Sequence, residues 1–351
     1  YNENKYLDQM PSFTLEKLLN GKWQSEFESY ITDQFIGRDT WVELNVMTER
    51  GIGKKDVNGV LFADDNYMIQ MYNPQDIDPE LVNKNLQRLH GFVEKSKELV
   101  GLEHTSVMLV PTASEVLSDK LPEFAEGMLY DQKELLRRAE EQVGDEAWID
   151  VQSVLDQHKD EYIFYRTDHH WTMTGAFYAY QQWMSQKGYG TVSLDDYEQV
   201  TLSEDFLGTT YSKAPTASAE ADTMLYFEKD PQQEYRVYLE GSEEGRNGLY
   251  DPAKLQEKDK YASYLYGNNG LVEIQGGEKN GRVLLIIKDS YAHSLGMLAA
   301  QDFETVYLID PRYFLQDIWQ FAEENQVTDT LFLFNTMNFA QESYLYILDE
   351  A

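Results

Sequence analysis

Cysteine is absent from the 351-residue chain, which removes a thiol nucleophile, a thiolate metal site and any disulfide from consideration. No run of about 18 apolar residues occurs either, so nothing in the sequence is set to cross a bilayer as a helix. Basic residues are few: 29 Lys and Arg stand against 62 Asp and Glu, for a net charge of −33 and a pI near 4.4. Such a charge repels nucleic acid and anionic lipid at long range and argues against a polynucleotide substrate. The acidity is spread along the chain, as expected of solvated faces. Histidine is scarcer still, with six in the whole chain, so where the histidines fall carries information.

Two of the six sit side by side in Asp168-His169-His170-Trp171, within the run from Tyr165 to Gly175. A carboxylate next to two imidazoles is a concentration of proton-transfer chemistry, and it points to an enzyme. A second segment supplies the complementary part. Val283-Leu-Leu-Ile-Ile287 reads as a buried strand, followed at its C-terminal end by Lys288-Asp289-Ser290-Tyr291. Ligands of open α/β sheets bind just beyond the carboxyl ends of the strands. A serine there needs a base, and an imidazole whose tautomer is fixed by a carboxylate is suited to the task. Asp168, His170 and Ser290 fit the roles of orienter, base and nucleophile. A metal centre at Asp168, His169 and His170 is the rival reading, weakened because consecutive side chains diverge. His293 is read as a further ligand or a helix cap. Trp171 is either a stacking platform for a sugar ring or a loop anchor, and Asp289 a first-turn residue favoured by the helix dipole.

The length allows one large α/β domain or two smaller ones; the reading adopted is a single domain over residues 1–351. Residues 1–50 read as a wrapping arm whose helix closes at Asp33-Gln-Phe-Ile-Gly-Arg38-Asp39. Asn58-Gly59 marks a hairpin, with strands at 60–62 and 67–72. Leu86, Leu89, Val93 and Val100 follow helical spacing over 78–102, with Gly101 as the stop. Strands are expected at 105–110 and 162–165, and Thr172 or Thr174 caps the helix after the histidine motif. Residues 190–275 read as an insertion or lid of loops and short strands. A βαβαβ unit follows, with strands at 283–287, 305–309 and 330–334 around helices near 295–300 and 315–322, which argues for a parallel sheet.

Thr167-Asp-His-His-Trp-Thr172 resembles the signature of the DHHW protein family. The likeness extends, in order, through Glu3-Asn-Lys-Tyr-Leu7, Asp33–Asp39, Val110-Pro-Thr112, Asp205-Phe-Leu-Gly-Thr209, Lys260-Tyr-Ala262 with Gly267-Asn268, Lys288-Asp-Ser-Tyr291 and Asp310-Pro-Arg-Tyr313. That family is related to the alginate O-acetyltransferase proteins of the AlgX and AlgJ type and to the SGNH hydrolase-like fold. The resemblance implies an SGNH-like parallel sheet flanked by helices. It also implies a triad of Asp168, His170 and Ser290, with His169 on a variable position. The oxyanion-hole candidates it suggests are the Ser290 amide, the Asp310-Pro311-Arg312 loop and Asn335, the last equally readable as a turn residue. Lys288 departs from the glycine of the wider pattern, and Phe334-Asn335-Thr336-Met337-Asn338 from its Gly-x-Asn-Asp block. Trp171, Tyr291, Arg312 and Asn268 are the expected substrate contacts, Arg312 being equally a partner for an acidic neighbour.

The expected activity is O-acetyl transfer to, or deacetylation of, an exopolysaccharide or cell-wall glycan through an acyl-serine. No cofactor or metal is expected. The acetyl group would come through a membrane-bound acyltransferase partner. The alternative is a catalytically silent glycan-binding or assembly protein that keeps the fold as scaffold. The expected setting is extracytoplasmic, with an N-terminal signal or membrane anchor preceding Tyr1.

Overall fold

Alternation within three short apolar runs organises the molecule. In the computed structural model, which describes residues 10–14, 17–18, 22–33 and 38–349, a small antiparallel sheet comes first. It is formed by β1 (Asp56–Val57), β2 (Val60–Phe62) and β3 (Met68–Gln70). Asn58 and Gly59 turn between β1 and β2 at φ of 51° and 74°, the left-handed pair that Asn-Gly favours in a tight hairpin. Next come β4 (Thr105–Val110), an antiparallel ribbon of β5 (Glu198–Phe206) with β6 (Asp222–Glu228), and then β7 (Arg236–Leu239), β8 (Arg246–Asn247) and β9 (Leu271–Gln275). The chain closes its sheet with β10 (Val283–Lys288), β11 (Thr305–Ile309) and β12 (Asp329–Asn335). The central sheet has the order β4-β12-β10-β11-β9-β7-β8.

Side chains of a strand alternate between faces, and here the alternation feeds two cores. Leu284, Ile286, Leu331 and Leu333 join one buried cluster with Phe177, Trp183 and Leu298 of the helices Met173–Gln186 and Ala292–Asp302. Leu285, Ile287, Phe332 and Phe334 join the other, against Leu86, Leu89 and Phe92 of the helix Pro79–Val100, Leu135 of Gln132–Val143 and Ile318 of Ile318–Glu324. Each fully buried aliphatic or aromatic side chain contributes on the order of 1.5–3 kcal/mol, so these strands anchor whatever follows their ends. The helix Pro79–Val100 starts on Asp78, whose side chain accepts from the Glu80 amide, and stops at Gly101 with φ of 89°. This matches the start and stop signals in the sequence.

The sheet is mixed rather than wholly parallel. β4, β12, β10 and β11 run parallel, whereas β9, β7 and β8 are antiparallel additions at one edge. Thus part of residues 190–275, read from sequence as an insertion of loops and short strands, lies inside the main sheet. β9 escaped the periodicity reading because its five residues stand between Gly270 and Gly276. Nor do residues 162–165 form a sheet strand. They make a tight loop closed by an isolated bridge between Phe164 and Trp171, with the Thr172 amide donating to the Ile163 carbonyl at 2.9 Å. Residues 3–7 and 34–37, which carry two of the resemblance segments and the middle of the arm's closing turn, fall outside the described residues; the helices Lys22–Asp33 and Arg38–Gly51 flank the latter.

Candidate active site

The carboxyl ends of β4, β12, β10 and β11 share one rim of the sheet, and the turn after β10 carries Asp289 and Ser290. Asp289, buried, holds this turn to the neighbouring strand end. Its Oδ1 accepts from the Tyr291 amide at 2.9 Å. Its Oδ2 accepts from the Asn335 amide at 2.9 Å, Asn335 Nδ2 at 3.1 Å and Asn338 Nδ2 at 2.8 Å. Sequence reading gave Asp289 only a first-turn role; it ties the nucleophile turn to β12.

The histidine loop reaches Ser290 from 120 residues away. Ser290 Oγ lies 2.8 Å from His170 Nε2, and His170 Nδ1 lies 2.6 Å from Asp168 Oδ1. Both distances are in the range for a nucleophile, its base and the group that orients the base. His170 and Asp168 are buried, at 4% and 2% exposure, while Ser290 is half-buried. Burial opposes ionisation of Asp168. The two adjacent imidazoles, the His170 hydrogen bond and the Thr209 amide outweigh it and hold the carboxyl below the usual carboxylate range. An ionised Asp168 accepts the Nδ1 proton of His170 and leaves Nε2 as the acceptor for the serine hydroxyl.

Segments far along the chain hold the histidine loop, and composition gave no sign of them. Asp222, at the start of β6 and 1% exposed, accepts from the Arg166 amide at 2.8 Å, the Thr167 amide at 2.8 Å and Thr167 Oγ1 at 2.5 Å, and also from the Tyr162 hydroxyl. Thr209 donates to Asp168 Oδ2 through its amide at 2.7 Å and its hydroxyl at 2.9 Å. That approach needs the preceding glycine: a Cβ on Gly208 would fall 2.3 Å from Asp168 Cβ. Tyr261 stacks on His170, with ring centroids 3.7 Å apart at 10°, while its hydroxyl donates to the Ser290 carbonyl at 3.0 Å. The one sequence signal that touched any of them was the inclusion of Gly208-Thr209 and Tyr261 in the resemblance segments.

Several expected contacts have other employment. Trp171 is fully buried and its Nε1 donates to the Tyr291 carbonyl at 2.9 Å, so it anchors the loop and offers no face to a sugar. Tyr291 is likewise fully buried, its hydroxyl donating to the His169 carbonyl. Asn335 is a helix cap: its Oδ1 accepts from the Met337 and Asn338 amides, while its backbone amide and one Nδ2 proton go to Asp289, which leaves the second Nδ2 proton as its one remaining donor. The Arg312 amide donates to Asp310 Oδ1 at 3.1 Å and its guanidinium forks onto the same carboxylate. Arg312 is therefore the partner of an acidic neighbour, and its amide is no oxyanion donor. The Ser290 amide, by contrast, makes no hydrogen bond among the described residues, so it is free for the role. Asn268 is exposed in the turn before β9. His293 is buried with Nε2 3.1 Å from Lys288 Nζ, and the same amine lies 3.4 Å from Asp310 Oδ2. Burial and the neighbouring Lys288 hold His293 well below the ordinary imidazole range.

Ligand-type atoms of Asp168, His169 and His170 do lie within 4.8 Å of one another. Both Asp168 oxygens and both Nδ1 atoms are engaged in hydrogen bonds, however. With both Nδ1 atoms turned to oxygen partners, those two nitrogens carry protons and offer no lone pair to a metal.

The DHHW protein family model matches residues 93–309. Among curated proteins no relative matches the sequence. The structure is similar to that of a DHHW family protein from Eubacterium siraeum DSM 15702, at 25% identity and a TM-score of 0.69 over 84% of this chain and 96% of that one. It is also similar to Bacillus cereus PatB1 with a sulfonyl adduct, at 18% identity and a TM-score of 0.65 over 80% and 95% of the two chains. A further similarity is to the O-acetyltransferase domain of Pseudomonas putida AlgJ, at 13% identity and a TM-score of 0.47 over 83% and 99%. The mixed α/β fold is thus shared with the first two of these across most of the chain.

Proposed function

The chain belongs to the DHHW protein family, and from the continuous hydrogen-bonded run Asp168, His170, Ser290 within that fold we propose that it transfers acetyl groups to a glycan hydroxyl through an acyl-serine. The run carries the reading because Ser290 is inert unless a base within hydrogen-bond reach takes its proton. His170 Nε2 removes that proton as Oγ attacks the carbonyl of an acetyl donor. The imidazolium, stabilised by Asp168, then protonates the leaving oxygen. A sugar hydroxyl next attacks the acetyl carbon, its proton passes to His170, and the Oγ–carbon bond breaks as Ser290 is reprotonated. The Ser290 amide is placed to donate to the oxyanion; such donors contribute about 3 kcal/mol each. With water as the acceptor, the same steps are hydrolysis. An exopolysaccharide or cell-wall acceptor, an extracytoplasmic setting and an acetyl supply through a membrane-bound acyltransferase partner belong to the same proposal.

One observation favours a second reading, a catalytically silent glycan-binding or assembly protein: the Arg312 amide, one of the three expected oxyanion donors, is committed to Asp310. A single experiment separates the two. 4-Methylumbelliferyl acetate should acetylate Ser290, detectable by intact mass and peptide mapping, and Ser290→Ala should lose both the adduct and the turnover while keeping its near-UV spectrum. Phenylmethylsulfonyl fluoride, of the reagent class named with PatB1, should block the same residue. A wild type with no acyl-enzyme and no turnover would leave the silent reading standing, and loss of turnover with a chelator would revive a metal.

A further inference from the structure

Proton bookkeeping at Thr209 fixes the state of the second histidine. Thr209 Oγ1 lies 2.9 Å from Asp168 Oδ2 and 2.6 Å from His169 Nδ1. A hydroxyl has one proton, and an ionised carboxylate only accepts. The Thr209 proton therefore goes to Asp168, and the contact to His169 is filled by a proton on Nδ1. His169 Nε2 is left with a bare lone pair. That nitrogen has no partner among the described residues and is not sealed from solvent; the side chain is 21% exposed. Burial, together with the neighbouring His170, pushes His169 down to about 3, so the ring stays neutral and its lone pair stays available near pH 7.

His170 is in the same tautomer for a parallel reason, with Nδ1 on Asp168 Oδ1 and Nε2 facing Ser290. One carboxylate thus orients two imidazoles, His170 directly and His169 through Thr209. Their ring centroids are 3.9 Å apart, so the two imidazoles are direct neighbours. A narrow cleft with space of about 10 Å³, room for a single water, adjoins Asp168 and His169 and is lined in addition by Gln70, Tyr72, Thr112 and Ser114. Acyl transfer by the triad needs His170 alone, so His169 has no part in the chemistry described above.

We propose that His169 positions the acyl acceptor, its Nε2 accepting a hydrogen bond from the hydroxyl adjacent to the one that attacks, so that the site selects uncharged vicinal diols. This rests on the acyl-serine reading and deepens it. The attacking hydroxyl gives its proton to His170 and forms the new ester bond as the Ser290 Oγ–carbon bond breaks; the neighbouring hydroxyl keeps its proton and shares it with His169. An acceptor carboxylate at that place would meet a lone pair backed by Asp168 and be repelled.

The test is an internal ratio. Wild-type enzyme loaded with 4-methylumbelliferyl acetate is offered ethane-1,2-diol or ethanol, and acetyl esters are counted per hydroxyl. The diol should be preferred about tenfold, the effect of one neutral hydrogen bond. His169→Asn, whose amide can still donate to Thr209, should bring the ratio near one; His169→Gln, which restores an acceptor near the Nε2 position, should recover part of it. A general loss of activity cancels in the ratio, so a merely structural role would leave it unmoved. No diol preference in the wild type, or a preference that survives His169→Asn, overturns the assignment. Absence of any acetyl-Ser290 in the wild type would instead bring down the acyl-serine reading, and this one with it.

Discussion

Different forces hold the two partners of the Ser290–His170 hydrogen bond. Ser290 stands at the end of a central strand with parallel neighbours on both sides, and β12 beside it is buried at all seven positions. Its position is a consequence of backbone ladders and apolar packing, with the Asp289 carboxylate tying the turn to β12. His170 stands in a loop with one isolated bridge, held by side chains from residues 209, 222, 261 and 291. Sheet topology places Ser290, secured by the one carboxylate of Asp289, and buried polar contacts from several segments place His170. Asp289 apart, single substitutions should therefore damage the second half far more than the first.

The largest effect is expected for Asp168→Asn. It removes the anion that fixes His170 in its Nδ1-protonated form and stabilises the imidazolium, and kcat should fall by about 10⁴-fold with folding retained. Ester turnover beside a near-UV spectrum measures both; unchanged kcat would remove Asp168 from the mechanism. Next is Asp222→Ala, which leaves four donors on the histidine loop without their acceptor. Unpaired buried donors cost about 1–3 kcal/mol each, so a loss of roughly 3 kcal/mol or more in urea unfolding is expected. Ile286→Val on the Ser290 side should cost only about 0.5–1.5 kcal/mol. If the strand substitution proved the costlier, the contrast between the halves would be wrong.

That contrast also accounts for what could be read in advance. The runs at 283–287, 305–309 and 330–334 announce buried strands by composition and length, and the parallel register then brings Ser290 to the rim. Composition and period do not announce Thr209, Asp222 and Tyr261, because each acts through directed hydrogen bonds or a ring contact from an irregular or two-stranded segment with no period to detect. Residue type also reveals capability without direction. Trp171 and Asn335 are able to stack and to donate, but one is fully buried and the other gives one amide proton to Asp289 and its side-chain carbonyl to a helix start. The pairing of Arg312 with Asp310 was among the alternatives legible in Asp310-Pro-Arg312; its use of the backbone amide was not.

A smaller effect should appear with pH, and it distinguishes the halves again. His169 on the loop side and His293 on the sheet side are both held neutral by burial. The unfolded chain protonates each near its ordinary value of about 6.5, so below that pH the unfolded state binds more protons. The stability each contributes is fully present above about pH 6.5 and is lost as pH falls, for His169 down to about 3. The slope is at most about 1.4 kcal/mol per pH unit for each group. Urea midpoints should be flat from pH 7 to 8 and decline from pH 6 to 4. His169→Asn should flatten part of that decline and leave the share of His293.

The smallest expected effect tests the residue that touches both halves. Tyr261 lies flat against His170 and donates its hydroxyl to the carbonyl of Ser290. Tyr261→Phe keeps the plate that limits the imidazole's tilt and deletes the strap, which should cost about 1 kcal/mol of stability and a few-fold in kcat at most. Tyr261→Ala removes the plate as well and should cost far more of both, since His170 would lose the surface that confines it. Were Phe as damaging as Ala, the hydroxyl would be the part that matters, and the Ser290 turn would depend on Tyr261 as well as on Asp289.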